Sequence, residues 1–380
     1  MTVIDPSGAE RVRRRFEQHL DVGLHHGAQL AVYRGDERLL DLAGGVTGYD
    51  GEATTSDRKH LLFSCTKPLA AAALHHLVDA GNLAYDDRVV DHWTEFAADG
   101  TAKAETTVRH VLSHQAGLAT TALDANPDAW TDWDASVEYL EDADPAHDPG
   151  DDVAYHSLSF GYLVGELVRR ASGQSVGAYA REHVFDPLGM DDTYIGLPDS
   201  EPDDVATLVG FDPFDRCRSP DAGLATGPHE AAALFNEESV HRAEIPAAAG
   251  VGTARDLARF YATWANGGAF DGQQFVSEAT ASAAVDVQAE TESDGKLDVP
   301  RRYGLGFVRA GPVTANFGAA APSRVFGHGG LGSSVAWADP ETGLAFAYVT
   351  NGVRDSYEHA ARVNQLGDAV RAAFDGETES

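Results

Sequence analysis

Strand-like patterns stand at the two ends of this chain, and helix-like patterns fill the stretch between them. Residues 27–34 and 37–45 are apolar runs around Gly35-Asp36, a hairpin signal. Far downstream, residues 303–308 alternate as a strand, and Phe326-Gly327-His328-Gly329-Gly330-Leu331-Gly332 reads as a glycine-rich edge. Residues 334–338 and 344–349 then flank a turn at 339–343. Helical periodicity covers residues 64–81, 107–118, 157–168, 175–184 and 254–266. Amphipathic helices are expected near both termini, over residues 9–24 and 357–374. Residues 120–150, rich in Asp, Pro and Trp, read as a long excursion, and residues 196–248 as acidic and irregular. There is no internal repeat and no low-complexity linker.

One helix pattern carries chemistry. Ser64-Cys65-Thr66-Lys67 heads the run Pro68-Leu69-Ala70-Ala71-Ala72-Ala73-Leu74. A spacing of three places the Ser64 hydroxyl and the Lys67 amine on one helical face. A serine hydroxyl is a poor nucleophile until a neutral, desolvated amine can take its proton. The plainer reading makes Ser64 a helix N-cap and Lys67 an exposed first-turn residue. Ser56-Asp57-Arg58-Lys59 and Ser293-Asp294-Gly295-Lys296 share the spacing, but the second reads as a solvated loop and neither opens a long apolar helix. Lysine is scarce, with only Lys59, Lys67, Lys103 and Lys296 present, so a lysine suits a position that must release a proton.

Charge excludes several partner classes. Sixty acidic and 28 basic residues give a formal net charge of -32, which repels nucleic acid and anionic membrane. A hydrophobic content of 43% with regular patterning argues against disorder, so a protein built for concentrated salt is the expectation. Cys65 and Cys217 allow one bridge but no disulfide framework. Cys65 reads as a small buried residue. With no apolar core of signal-peptide length in residues 1–15 and no membrane-length apolar stretch, a cytoplasmic location is expected.

Other candidates are weaker alone. His110 and His114 lie one turn apart, yet no third ligand is evident, so structural roles are favoured over a metal. Tyr155 precedes a helix expected to begin near Ser157 and could project into a cleft. The 327–332 glycines match a dinucleotide fingerprint formally, but a strand follows where a helix is needed. Backbone that approaches a ligand closely is the better reading, with a free N–H for an oxyanion. No Gly-x-Ser-x-Gly elbow surrounds Ser64.

Taken in order, these pieces resemble the serine β-lactamase and penicillin-binding-protein superfamily, and more narrowly its class C-like branch of family VIII esterases, D-aminopeptidases and LACTB-like proteins. Ser64-Cys65-Thr66-Lys67 is similar to the Ser-x-x-Lys box, Tyr155-His156-Ser157 to the Tyr-x-Asn/Ser box, and His328-Gly329-Gly330 to the third box, often Lys-Thr-Gly. Residues 110–118 resemble the segment this branch carries between the first two boxes.

The resemblance implies a mixed α/β (α+β) fold spanning residues 8–372. An antiparallel sheet from both chain ends, flanked by helices, would form one lobe (8–62 and 250–372), a mostly helical lobe would span 63–249, and an acidic tail would follow from 373. It implies Ser64 as acyl-enzyme nucleophile, with Lys67 or the Tyr155 phenolate as base, and neither cofactor nor metal. Ser157, His328, Gly329, Gly330 and Leu331 would line the substrate, the Leu331 N–H serving the oxyanion beside that of Ser64. His328 in place of lysine and Ser157 in place of asparagine shift the expectation toward a small ester or amide. Alternatives are a D-aminopeptidase-type amide hydrolase and a catalytically silent penicillin-recognising or scaffolding protein.

Overall fold

The computed structural model describes residues 6–49, 51–211, 227–311 and 316–374. Helix α1 (Pro6–Asp21) leads into the hairpin β1 (Gly27–Arg34) and β2 (Glu37–Gly45). The middle of the chain is largely helical, its chief members α2 (Thr66–Asp79) and α3 (Ser159–Ser172). Helix α4 (Ala254–Ala265) precedes strands β3 (Ala289–Thr291), β4 (Arg301–Tyr303), β5 (Val308–Arg309), β6 (Phe326–Gly329), β7 (Val335–Asp339) and β8 (Leu344–Thr350), and α5 (Ser356–Phe374) follows.

These eight strands form one antiparallel sheet in the order β2-β1-β8-β7-β6-β5-β4-β3. The two chain ends meet where β1 pairs with β8, from Ala28 opposite Thr350 to Arg34 opposite Leu344. Side chains alternate faces along a strand, and both faces of β8 are buried. Leu344, Phe346 and Tyr348 point toward α1 and α5, where Val12, Phe16, Val363, Leu366 and Val370 cover them. Ala345, Ala347 and Val349 share the opposite core with Leu257, Phe260 and Tyr261 of α4. Large residues on one face and alanines on the other let α4 lie close against the strands.

Helix α2 runs through the second core. Leu69 to Leu74 are fully buried, so it is apolar all round, as an interior helix must be. Its alanines permit close approach: a Cβ on Gly306 would come within 2.5 Å of the Ala71 Cβ.

Several local expectations need correction. Residues 303–308 are two strands rather than one, because Gly306 takes φ +82° in a turn that packs on α2. The glycine-rich stretch is the interior strand β6, paired on both sides, and forms no edge. The helix expected over 107–118 runs only from Val108 to Leu112, and His114 then turns left-handed at φ 62°. The 120–150 excursion contains a helix, Trp133–Asp142. Asp294, expected in a solvated loop, is buried. Cys217 and residues 375–380 of the tail lie outside the described residues. Among the described residues, no helix is long and apolar enough to cross a membrane.

Candidate active site

Ser64 does not cap α2. It sits in a single 3-10 turn, Phe63–Cys65, and Cys65 occupies the N-cap without a side-chain bond. Phe63, just before it, takes φ 47°, a left-handed conformation that costs a bulky residue roughly 1–3 kcal/mol. Surrounding bonds hold the turn there. The Leu62 N–H donates to the Gly250 carbonyl (2.8 Å) and the Thr66 hydroxyl to the Phe63 carbonyl (2.6 Å). The Phe63 ring meets Phe235 edge-on at 4.9 Å.

Lys67 is fully buried in the first turn of α2. Its Nζ lies 3.1 Å from Ser64 Oγ, 2.8 Å from the Ser157 carbonyl and 3.0 Å from the Ala247 carbonyl. No carboxylate among the described residues bonds it, and burial lowers its pKa to about 7. A neutral amine has two N–H groups and one lone pair. Two carbonyls can only accept, so the N–H groups go to them and the lone pair is left for the Ser64 O–H. This arrangement suits proton removal from Ser64.

Tyr155 completes the group. Lys67 Nζ stands 4.8 Å from its ring centroid, and Ser64 hydrogen-bonds its phenol. Burial raises the phenol's pKa above its ordinary value, and the Ser64 bond only partly opposes this. The amine is therefore the better-matched base, and the phenol stays protonated near neutrality.

The segment carrying Tyr155 has every main-chain donor engaged. The Val153 N–H donates to Asp152 Oδ1 (2.7 Å), Ala154 to the His114 carbonyl (3.0 Å), Tyr155 to Asp294 Oδ1 (3.0 Å) and His156 to His114 Nδ1 (3.1 Å). His114 is thus a neutral acceptor, kept uncharged by burial, and its ring packs 4.9 Å from that of Tyr155. His110 turns away to accept from the Thr107 N–H at 3.3 Å. Among the described residues no cluster of His, Cys, Asp and Glu has the makings of a metal site.

The third box lies alongside. His328 is buried, and its Nδ1–H donates to the Gly329 carbonyl (2.8 Å). That bond fixes the tautomer and leaves Nε2, which has no partner among the described residues, as an acceptor. Burial lowers the ring's pKa to about 3, so the box carries no cation at pH 7. A Cβ on Gly330 would fall 2.2 Å from Ser334 Oγ and 2.6 Å from the Leu62 carbonyl, so that position admits only glycine. One on Gly329 would meet nothing closer than 3.9 Å, which leaves open space beside the backbone. The N–H groups of Ser64 and Leu331 have no acceptor among the described residues. Ser157 contributes its carbonyl to Lys67, while its Oγ is buried without a partner among the described residues. Cys65 donates to the His328 carbonyl (3.2 Å), and burial pushes its thiol up to about 12, which disqualifies it as a nucleophile.

Sequence reasoning missed two contributors, Ala247 and Asp294. Ala247 acts through its carbonyl, which leaves no side-chain signature. Gly161 is the available signal, since a Cβ there would come within 2.3 Å of the Ala247 nitrogen. Asp294 looked like loop polarity. Gly173-Gln174-Ser175-Val176-Gly177 carries the Gly-x-Ser-x-Gly spacing away from Ser64, but Ser175 caps the helix Val176–Ala180 and donates to Glu244 (2.5 Å).

A family model described as beta-lactamase matches residues 12–369. The chain belongs to the beta-lactamase family. Esterase/beta-lactamase LipL of Mycobacterium tuberculosis is 35% identical over 343 residues, 86% of this chain and 77% of that protein. A penicillin-binding-protein homologue from Caulobacter crescentus has a similar structure, with TM-score 0.84, 36% identity, and coverage of 98% of this chain and 99% of that one. A family VIII carboxylesterase also superposes with TM-score 0.84, at 28% identity over 97% and 99% of the two chains. Membership in the beta-lactamase family, with esterase-named relatives, makes this chain a serine hydrolase of esterase-like type.

Proposed function

We propose that this beta-lactamase-family enzyme hydrolyses small, uncharged carboxylic esters through an acyl-enzyme on Ser64. The observation that carries the reading is the Lys67 amine, 3.1 Å from Ser64 Oγ and otherwise bonded, among the described residues, only to two main-chain carbonyls. Ser64 Oγ attacks the acyl carbon as its proton passes to Lys67. The oxyanion rests on the N–H groups of Ser64 and Leu331. Collapse breaks the bond to the alcohol, whose oxygen takes the proton of the Tyr155 phenol, and Lys67 ammonium restores that proton. Water then repeats the sequence and frees the acid. The neutral His328 offers an acceptor and no positive charge, which fits an ester better than a substrate held by its carboxylate.

The test has two arms. A fluorophosphonate and, separately, a penicillin are incubated with the protein in high salt, and adducts are located by mass spectrometry. Fluorophosphonate on Ser64, with turnover of a short-chain nitrophenyl ester lost in Ser64→Ala, is the expected result. Unchanged turnover in Ser64→Ala removes the reading. A chromogenic cephalosporin and a D-alanyl anilide assayed in parallel measure the lactam and D-amino amide alternatives.

A further inference from the structure

We propose that Asp294 is the positioning residue that aims the Tyr155 phenol at the leaving group; this rests on the proton-donating role given to Tyr155 above. Asp294 is 1% exposed and belongs to neither strand nor helix. Its Oδ1 accepts from the N–H groups of Tyr155 (3.0 Å), Lys296 (2.9 Å) and Leu297 (3.0 Å), and its Oδ2 from the Tyr303 hydroxyl (2.8 Å). Four donors converge on one side chain, and only a carboxylate has acceptor sites for all of them. Burying a charge is costly, so a carboxylate placed here for packing alone would be a poor solution.

The bonds run in a closed circuit. The Gly295 N–H donates to the Val153 carbonyl (2.9 Å), so the loop grips the Tyr155 segment on both sides of one residue. Lys296 Nζ reaches Thr120 Oγ1 (2.9 Å) and the Ala119 carbonyl (3.3 Å), which ties the loop to residues 119–120. Tyr303, from β4, packs 4.6 Å from the His114 ring, which also packs 4.9 Å from that of Tyr155. Asp294 thus ties the main sheet to the main chain of Tyr155, and the phenol inherits its position from that link. A displacement of about 1 Å at a reacting group can cost on the order of 10²-fold in rate.

A general fault in folding and a misaimed proton donor give different signatures. A nitrophenolate leaves without protonation, whereas an alkoxide needs a proton as it departs. Kcat/KM, which reports acylation alone and not the deacylation step that both substrates share, is measured for a butyl ester and a 4-nitrophenyl ester of the same acid, each corrected to the fluorophosphonate-titrated site concentration. Asp294→Ala is expected to lower the butyl-to-nitrophenyl ratio of kcat/KM by about 10-fold or more, within the 10²–10⁴-fold range of acid–base catalysis. Asp294→Asn, which keeps an oxygen for the Tyr155 N–H, is expected to hold the ratio within about threefold of wild type by the same measure. If Asp294→Ala does not accumulate as folded protein, Asp294→Glu, which keeps the charge but moves the oxygens by a methylene, is expected to show the selective loss. Tyr155→Phe runs beside them. If it shows the selective loss and neither Asp294→Ala nor Asp294→Glu does, the assignment of Asp294 is overturned. If Tyr155→Phe itself lowers both esters equally, the role of Tyr155 falls, and this inference with it.

Discussion

The Ser334 hydroxyl donates to the Leu62 carbonyl at 2.6 Å and so ties the turn after β6 to the turn that carries Ser64. The Gly330 N–H donates to the Ser334 carbonyl (2.8 Å), so one serine sets the distance between the N–H groups of Ser64 and Leu331. Those donors must be fixed before an oxyanion forms, since preorganisation is what gives them their value. Gly330→Ala forces its Cβ into this junction and is expected to lower kcat by about 10²-fold, the usual effect of losing one such donor. Ser334→Ala removes a tether while Leu62 keeps a bond from the Cys65 N–H (3.2 Å), so the expected stability loss is only about 1 kcal/mol. Esterase kinetics and urea titration of both variants check this. Equal kcat in Gly330→Ala and wild type would show that the junction does not shape the site.

The pH–rate profile follows from two environments. The base proposed for Ser64, Lys67, can act only when neutral, and its pKa of about 7 is expected to place the ascending limb of kcat/KM there. Below that pH the amine holds its proton and the rate falls about tenfold per unit. Tyr155 must keep its proton, and its raised pKa removes any descending limb below the ordinary tyrosine value of about 10. Measurement between pH 5 and 10 on a butyl ester, whose alkoxide needs the phenol proton, at roughly these limits, decides the assignment. A limb ascending through the region near 10 instead would mean that the lysine is not desolvated in solution.

The ends of the fold were readable because strand and helix periods are local. Residues 27–45 alternate around Gly35, and the structure has the hairpin there. The Ser64–Lys67 pairing was readable for a similar reason: the spacing is local, and the alanines behind it announce burial. What depended on distant contacts was not readable. Ser293-Asp294-Gly295 looks like solvent-facing loop until Tyr155 and Tyr303 close over it from elsewhere in the chain. The short helix Val108–Leu112 was overextended because the periodicity persists while His114 is drawn left-handed to hold the residue-156 main chain. Position before a helix start marked Tyr155 as a residue that could face a cleft, but its catalytic role came only from the resemblance, since a tyrosine there has no local signature of chemistry.

A chain with 60 acidic and 28 basic residues repels itself at low salt. Raising salt from about 0.01 M to 1 M shortens the Debye length from about 30 Å to 3 Å, which mutes repulsion between exposed carboxylates. The melting temperature is therefore expected to rise across that range, more steeply with potassium chloride than with an equal osmolarity of sucrose. Scanning calorimetry in the two series measures it. A Tm independent of salt would remove the reading of the surface as one suited to concentrated salt.

Lys67 is also expected to couple the fold to pH. Its folded-state pKa, about 7, lies below the ordinary lysine value of about 10.4 that it regains on unfolding. Between those values the unfolded chain holds a proton that the folded enzyme has shed. Stability then rises with pH by about 1.4 kcal/mol per unit for this one group, is complete above about 10, and is lost as pH falls toward 7. Lys67→Met removes the titration, so its stability relative to wild type should fall at that slope as pH climbs from about 7 to 10, whatever the difference at neutrality. The offset at neutrality mixes two effects of opposite sign: methionine avoids burying an amine, but it leaves the Ser157 and Ala247 carbonyls without their donor. Urea unfolding of both proteins at several pH values isolates the slope from that offset. Parallel curves would mean that Lys67 keeps its proton in the folded enzyme throughout this range, and Ser64 would then have no amine able to accept its proton near neutrality.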